Sequence, residues 1–209
     1  MKQEKRSSKL LRPKERQWRC LCEGAQEKDY LKHLEKLLRD QEYSVRFDTK
    51  PFAPSSKGIQ TALLQVDYGK CVLFDHDGRD MAFRATLQSC KKSTIPAFSN
   101  RCFDLWLLLH KSDYHHHVSQ NDAYVEKIRT EFNLGAEADI KTEENRQHIL
   151  DQISLEDVKS AVHRAKILRK EKLESDRKEI AGHVYYDNPD ITVHIFIEEV
   201  FKVCGMPLT

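Results

Sequence analysis

Apolar positions along this chain change their spacing several times, and each change marks an element. Arg19-Cys20-Leu21-Cys22-Glu23-Gly24 and Cys71-Val72-Leu73-Phe74-Asp75-His76-Asp77-Gly78 are each a short apolar run that stops at carboxylates and then a glycine. Such runs are expected where buried parallel strands reach the edge of a sheet. Between them, Asp29 to Asp40 carries Leu31, Leu34, Leu37 and Leu38 on one side, the pattern of an amphipathic helix. Residues 44–49 suit a short strand, Pro51 to Ser56 a loop, and Lys57 to Tyr68 a helix. A further helix is expected from about Asp80 to Cys90, with Met81, Phe83, Ala85 and Leu87 as its apolar stripe. Residues 94–98 form the next core strand, and Pro96 puts that segment at a strand end or a sheet edge. Strands and helices in alternation predict an α/β fold with a parallel, helix-covered sheet.

Past this region the pattern becomes helical. Ser99-Asn100 leads into Cys102 to His110, apolar all round and too short for a membrane, hence a buried helix. Polar residues dominate from His115 onward, with a helix over 121–132 and a connection over 133–143. A long helix is predicted from about Leu155 to Ile180. Its first half places Leu155, Val158, Val162, Ala165 and Leu168 at spacings of three and four, and its charged second half, Arg169 to Glu179, should project into solvent. Asn188-Pro189-Asp190 opens a last helix with Val193, Ile195, Phe196, Ile197, Val200 and Phe201, expected to return to the core. The organisation read from these patterns is an N-terminal arm (1–16), a sheet core (17–112), a helical extension (113–187) and a returning C-terminal helix (188–209).

Composition alters this picture little. One third of the 209 residues are charged, yet the formal net charge is only +2, so bulk charge does not announce a nucleic-acid binder. The first sixteen residues differ, with Lys2, Lys5, Arg6, Lys9, Arg12, Lys14 and Arg16 against Glu4 and Glu15. Such an arm either follows a phosphate backbone or is a solvated terminus. No stretch has the roughly 18 apolar residues of a membrane span, and no signal-peptide core is present, so no membrane partner and a cytoplasmic location are expected. Six cysteines without a CxxC pair point to small buried apolar residues rather than zinc or disulfides.

Candidate chemistry lies at the strand ends. Ligands of open α/β sheets bind at the carboxyl ends of strands, where Glu23, Asp75 and Asp77 are expected to converge on one site. Close carboxylates repel by about 4 kcal/mol per pair at an effective dielectric near 20 unless a cation lies among them, and an all-oxygen set beside a phosphate suggests Mg2+ or Mn2+. Alternation in the Asp-His-Asp stretch puts Asp75 and Asp77 on one side of an extended backbone, as a shared metal needs, while Glu23 moves a proton. The competing reading is an Asp-rich turn. Asp80 is either a third ligand or a helix cap, Asn100 a site residue or a cap, and Asp104 a group at the site edge or a favourable charge in a first helical turn. The triple histidine 115–117 reads as a solvated loop, since adjacent side chains do not converge on one ion. Lys166, Arg169, Lys170, Lys172, Arg177 and Lys178 either follow nucleic-acid phosphates or, being interleaved with Glu171, Glu174, Asp176 and Glu179, belong to a salt-bridged exposed helix.

Four segments carry a more specific likeness: Arg16 to Tyr30 (RQWRCLCEGAQEKDY), Val72 to Gly78 (VLFDHDG), Ser99 to His110 (SNRCFDLWLLLH) and Asn188 to Val200 (NPDITVHIFIEEV). In this order they resemble the RloB-like family, small proteins with a topoisomerase–primase type (Toprim) catalytic domain found near restriction or phage-defence genes. The resemblance implies a Toprim-like parallel sheet with an appended C-terminal helical region, Glu23 as general acid–base, and Asp75 and Asp77 as magnesium ligands. Asn100 and Asp104 fall on the polar positions of a family motif that usually reads Ser-Asn-Pro-Cys-Phe-Glu. The first family motif usually reads Glu-Gly-x-x-Thr-Glu; here a carboxylate is missing from its usual place or has moved by one residue to Glu27. The resemblance thus implies a metal-dependent nuclease acting on DNA or RNA, tRNA included, in anti-phage defence beside an ATPase subunit, with self-association a further possibility. Its rival from a different class is a non-catalytic nucleic-acid-binding or scaffold subunit. No P-loop is present to suggest nucleotide synthesis.

Overall fold

A computed structural model describes residues 15–52, 59, 61–63, 68–114 and 116–207. The basic arm falls almost wholly outside these residues, as does most of the helix predicted over 57–68, of which Ile59 and 61–63 are helical. The order of elements is β1 (Arg16–Cys22), α1 (Ala25–Asp40), β2 (Val45–Pro51), β3 (Gly69–Asp75), α2 (Asp80–Ser89), β4 (Ile95–Asn100) and α3 (Asp104–Leu109). Then follow α4 (Asp122–Glu131), α5 (Glu143–Asp151), α6 (Leu155–Lys170), a hairpin of β5 (Lys178–Ile180) and β6 (His183–Tyr185), β7 (Asp190–Ile191) and α7 (Val193–Cys204).

The main sheet runs β2-β1-β3-β4-β7, parallel except for the last pair, with Asp75 opposite Ser99 and Ser99 opposite Ile191. From β1 the chain goes first to one side, β2, and then to the other, β3. The β1/β3 boundary is therefore the switch point of the sheet, where the connections leave a crevice at the strands' carboxyl ends.

Alternation within the strands sends side chains to two cores. Cys20, Cys22, Cys71, Leu73 and Ala97 face α1, α3, α6 and α7; Leu21, Val72, Phe74 and Phe98 face α2 and the β5–β6 hairpin. On α1 the predicted leucine stripe buries Leu31, Leu34 and Leu38. Helix α3 is buried along its whole length, and Phe196 of α7 meets Trp18 edge-on with ring centroids 5.2 Å apart. Five of the six cysteines are buried and all six are free.

Three expectations are corrected. Met81, Phe83, Ala85 and Leu87 follow the period of a strand, not a helix; α2 buries Phe83 and Leu87 and leaves Met81 88% exposed. The long helix ends at Lys170, and its charged continuation folds into a 3-10 turn (Glu174–Asp176) and the hairpin, with Ile180 in the second core. Asn188-Pro189-Asp190 does not start a helix: Asp190 and Ile191 form β7, and α7 begins at Val193. Helix α5 was not expected, because only Ile149 and Leu150 of its nine residues are buried; Thr142 caps it by accepting the Asn145 N–H at 3.3 Å.

Candidate functional site

Glu23 follows the last residue of β1 and Asp75 is the last of β3, so the switch point brings them together. The Glu23 N–H donates to the Leu73 carbonyl at 3.2 Å, continuing the strand pairing, while its carboxylate turns across the strand end. One oxygen of that carboxylate, Oε2, accepts the Asp75 N–H at 3.2 Å, and Oε1 accepts Arg79 Nη2 at 2.5 Å. Arg79 also reaches Asp77 Oδ2 at 3.1 Å.

The strand ends at Asp75, and Asp77 has a left-handed backbone with φ of 49°. Alternation along an extended chain is thus not what brings Asp77 to Asp75; a turn does so, in a conformation aspartate tolerates better than most residues. Asp77 is fixed by its N–H to the Arg101 carbonyl at 2.9 Å and by Asn121 Nδ2 donating to Oδ1 at 3.3 Å.

From the other side α1 contributes Glu27. Its carboxylate folds back to accept the Gly24 N–H at 3.0 Å, satisfying a free donor of the helix terminus. Gly24 suits this arrangement because a Cβ there would lie 2.8 Å from Glu27 Oε2. Glu23, Glu27, Asp75 and Asp77 line one cavity of about 250 Å³, with Lys141 and Arg146 on its rim. Asp104, the first residue of α3, is buried behind it and accepts Gln26 Nε2 at 3.0 Å.

Electrostatics set this cluster apart. Burial, then repulsion from Glu27 and Asp77, pushes Asp75 well above the ordinary aspartate range. Burial and the neighbouring Glu23 and Asp104 raise Glu27 to about 7, and burial raises Asp104. Asp75 as a residue is half-exposed, yet its Oδ1 is buried and has no hydrogen-bond partner among the described residues. A buried carboxylate oxygen left unpaired among like charges is costly unless a cation completes it. The donor set is all oxygen, which suits a hard cation such as Mg2+. Among the described residues, however, no group of three or more His, Cys, Asp or Glu side chains is drawn together as a metal cluster. Arg79 pairs with both Glu23 and Asp77 and is the local counter-charge. The chemistry of the residues fits a divalent cation, and Arg79 is the group such an ion would have to share the carboxylates with.

Two sequence candidates lie elsewhere. Asp80 accepts from or pairs with His76 Nε2 at 2.6 Å on the opposite side of the turn, and it does not cap α2. Asn100 ends β4 and donates Nδ2 to the Tyr186 carbonyl at 3.1 Å rather than capping α3. His116 and His117 are exposed, and His115 lies outside the described residues. Sequence reasoning missed Arg79, Lys141 and Arg146. Lys141 just precedes the unexpected helix α5 and Arg146 lies in its first turn, and no local motif marks Arg79.

An α/β protein with a carboxylate-lined crevice at the switch point of a mostly parallel sheet is the class that fold and site together define. Residues 20–200 match the family model described as RloB-like protein, and the chain belongs to that family. No curated protein and no solved structure gives a match.

Proposed function

We propose that this chain is a Mg2+- or Mn2+-dependent nuclease of the Toprim type that hydrolyses nucleic-acid phosphodiesters. The observation that carries the reading is Asp75: a buried, unpartnered carboxylate oxygen surrounded by Glu23, Glu27, Asp77 and Asp104 at the switch point of the sheet. Asp75 and Asp77 would hold the ion, with Glu23 beside them. A divalent cation supplies Lewis-acid polarisation of a phosphoryl oxygen and a water of lowered pKa. The chain's own part is to position and to move protons. Glu23, oriented by Arg79 and the Asp75 N–H, is placed to exchange a proton with the attacking or leaving oxygen. Lys141 offers positive charge at the cavity for a substrate phosphate, while Arg146 beside it is paired with Asp29 at 2.9 Å. Family membership supports extending the proposal to prokaryotic anti-phage defence, with an ATPase subunit as trigger.

A second reading, a non-catalytic nucleic-acid-binding or scaffold subunit, is favoured by one observation: Arg79 already neutralises Glu23 and Asp77. Purified protein incubated with single-stranded DNA, duplex DNA and total tRNA in Mg2+ or Mn2+ separates the two. Cutting by the wild type and loss of at least about 100-fold in rate with Asp75→Asn is expected. No cutting, with or without the ATPase subunit, would leave the scaffold reading.

A further inference from the structure

The turn that carries the acidic residues has a second side. Asp75 and Asp77 line the acidic cavity, whereas His76 and Gly78 line another of about 310 Å³. Consecutive Cα atoms are about 3.8 Å apart, so the two cavities lie back to back across one stretch of chain. The second is walled by Arg84, Arg101, His117, Lys178 and Tyr185, with Phe83 beneath.

Its charge is not balanced from within. Arg84, Arg101 and Lys178 face only Asp80 and Asp187; Lys178 pairs with Asp187 at 2.6 Å and His76 Nε2 meets Asp80 at 2.6 Å, so neither carboxylate pairs with either guanidinium. Arg84 is exposed on α2 and has no hydrogen-bond or ion-pair partner for its side chain among the described residues. Arg101 makes no ion pair among them either. Its Nε donates to Asn121 Oδ1 at 3.2 Å and Nη1 to the Ser119 carbonyl, which hold the group in place without neutralising it. The same Asn121 holds Asp77, so Arg101 and the acidic cavity are joined by one hydrogen-bonded chain. The His76 ring on its wall is backed by the core: buried Phe83 lies 4.8 Å from the His76 ring and 5.5 Å from Tyr185.

Two unpaired guanidinium groups beside an imidazole ring, next to a site for phosphodiester chemistry, match the two halves of a nucleotide. The volume, near the lower end of about 300 Å³ for small-ligand pockets, accommodates one such unit and not a stacked duplex. Resting on the nuclease reading, we infer that this cavity receives one unpaired nucleotide next to the scissile phosphodiester. Its phosphate lies on Arg84 and Arg101 and its base against the His76 ring, which Phe83 backs. The substrate is then single-stranded or looped nucleic acid, because a regular duplex keeps its bases stacked inside.

The test is binding of a labelled single-stranded oligonucleotide and of a blunt duplex of the same sequence in EDTA, where cutting does not interfere. The wild type should prefer the single strand. Arg84→Ala should weaken that binding about tenfold and lower the slope of log affinity against log salt by about 0.7, as for one lost phosphate contact. Arg84→Lys should recover most of the loss, and Lys36→Ala, on the other face of the sheet, should change nothing. Equal affinity for duplex and single strand, or an Arg84→Ala variant that binds as the wild type does, would overturn the inference. Binding that depends on Arg84 without cutting in any metal would sink the nuclease reading and keep this cavity. Cutting that Arg84→Ala leaves unaltered in KM would do the reverse.

Discussion

At the scale of single residues, Asp75 concentrates the tension in this structure. Its folded-state pKa is raised, so the native protein holds a proton that the unfolded chain gives up, and this group's contribution to stability falls as pH rises. Asp75→Asn keeps the shape and removes the charge. In EDTA the variant should therefore gain stability over the wild type, by about 1–2 kcal/mol at pH 8 and less at pH 5, in urea unfolding. Mg2+ should raise the Tm of the wild type and not that of the variant. Glu23, Asp75 and Asp77 stood out in the sequence because apolar runs that end in acids occur in few places along a chain. Arg79 did not, since which carboxylates an arginine reaches depends on the left-handed turn at Asp77, a property of the backbone that residue types alone leave open.

Among the elements, those that bury a full stripe were legible and those held by a few contacts were not. Helices α1, α3 and α6 follow from their leucine and valine spacings. Helix α5, with two buried residues, and β7, two residues long, carry too little periodicity to be seen. The charged stretch after Lys170 misled because glutamate, lysine and arginine favour helix locally, while Ile180 gains more by entering the core under β3. The junction between α1 and α3 gives a measurable consequence. His110 Nδ1–H donates to the Trp106 carbonyl at 2.8 Å, so Nε2 is left as acceptor for the Tyr30 hydroxyl at 3.2 Å. Burial lowers His110 from 6.5 to about 4. The neutral ring's contribution is thus present above pH 6.5 and lost as pH falls toward 4, where the unfolded chain takes the proton first. The loss should reach about 3 kcal/mol. His110→Gln, which retains one donor and one acceptor, should flatten that part of the pH–stability profile measured by urea unfolding.

For the whole molecule, the sheet order matters most. The parallel, helix-covered sheet was readable from alternating strand and helix patterns, but the antiparallel fifth strand, contributed by a segment after the helices, was not. That strand is anchored by Asp190, fully buried, whose carboxylate pairs with Arg169 Nε at 3.0 Å and accepts the Tyr186 and Ile191 N–H groups. Arg169 also stacks over Tyr186 with its guanidinium carbon 5.4 Å from the ring centre. Burial outweighs the arginine and raises Asp190 to about 6. Removing one partner strands the other, so Asp190→Ala should cost about 3–5 kcal/mol in urea unfolding. The double change Asp190→Asn with Arg169→Met should cost less.

The union of Trp18 and Phe47 on the first two strands with Phe196 on α7 has a consequence in time. Synthesis delivers β1 early and α7 only after every other helix. The face of the sheet that carries Trp18 and Phe47 therefore stays open until residues 193–204 have cleared the ribosome. A nascent chain carries the carboxylates of Glu23 and Asp75 long before the core on one face of their strands is closed.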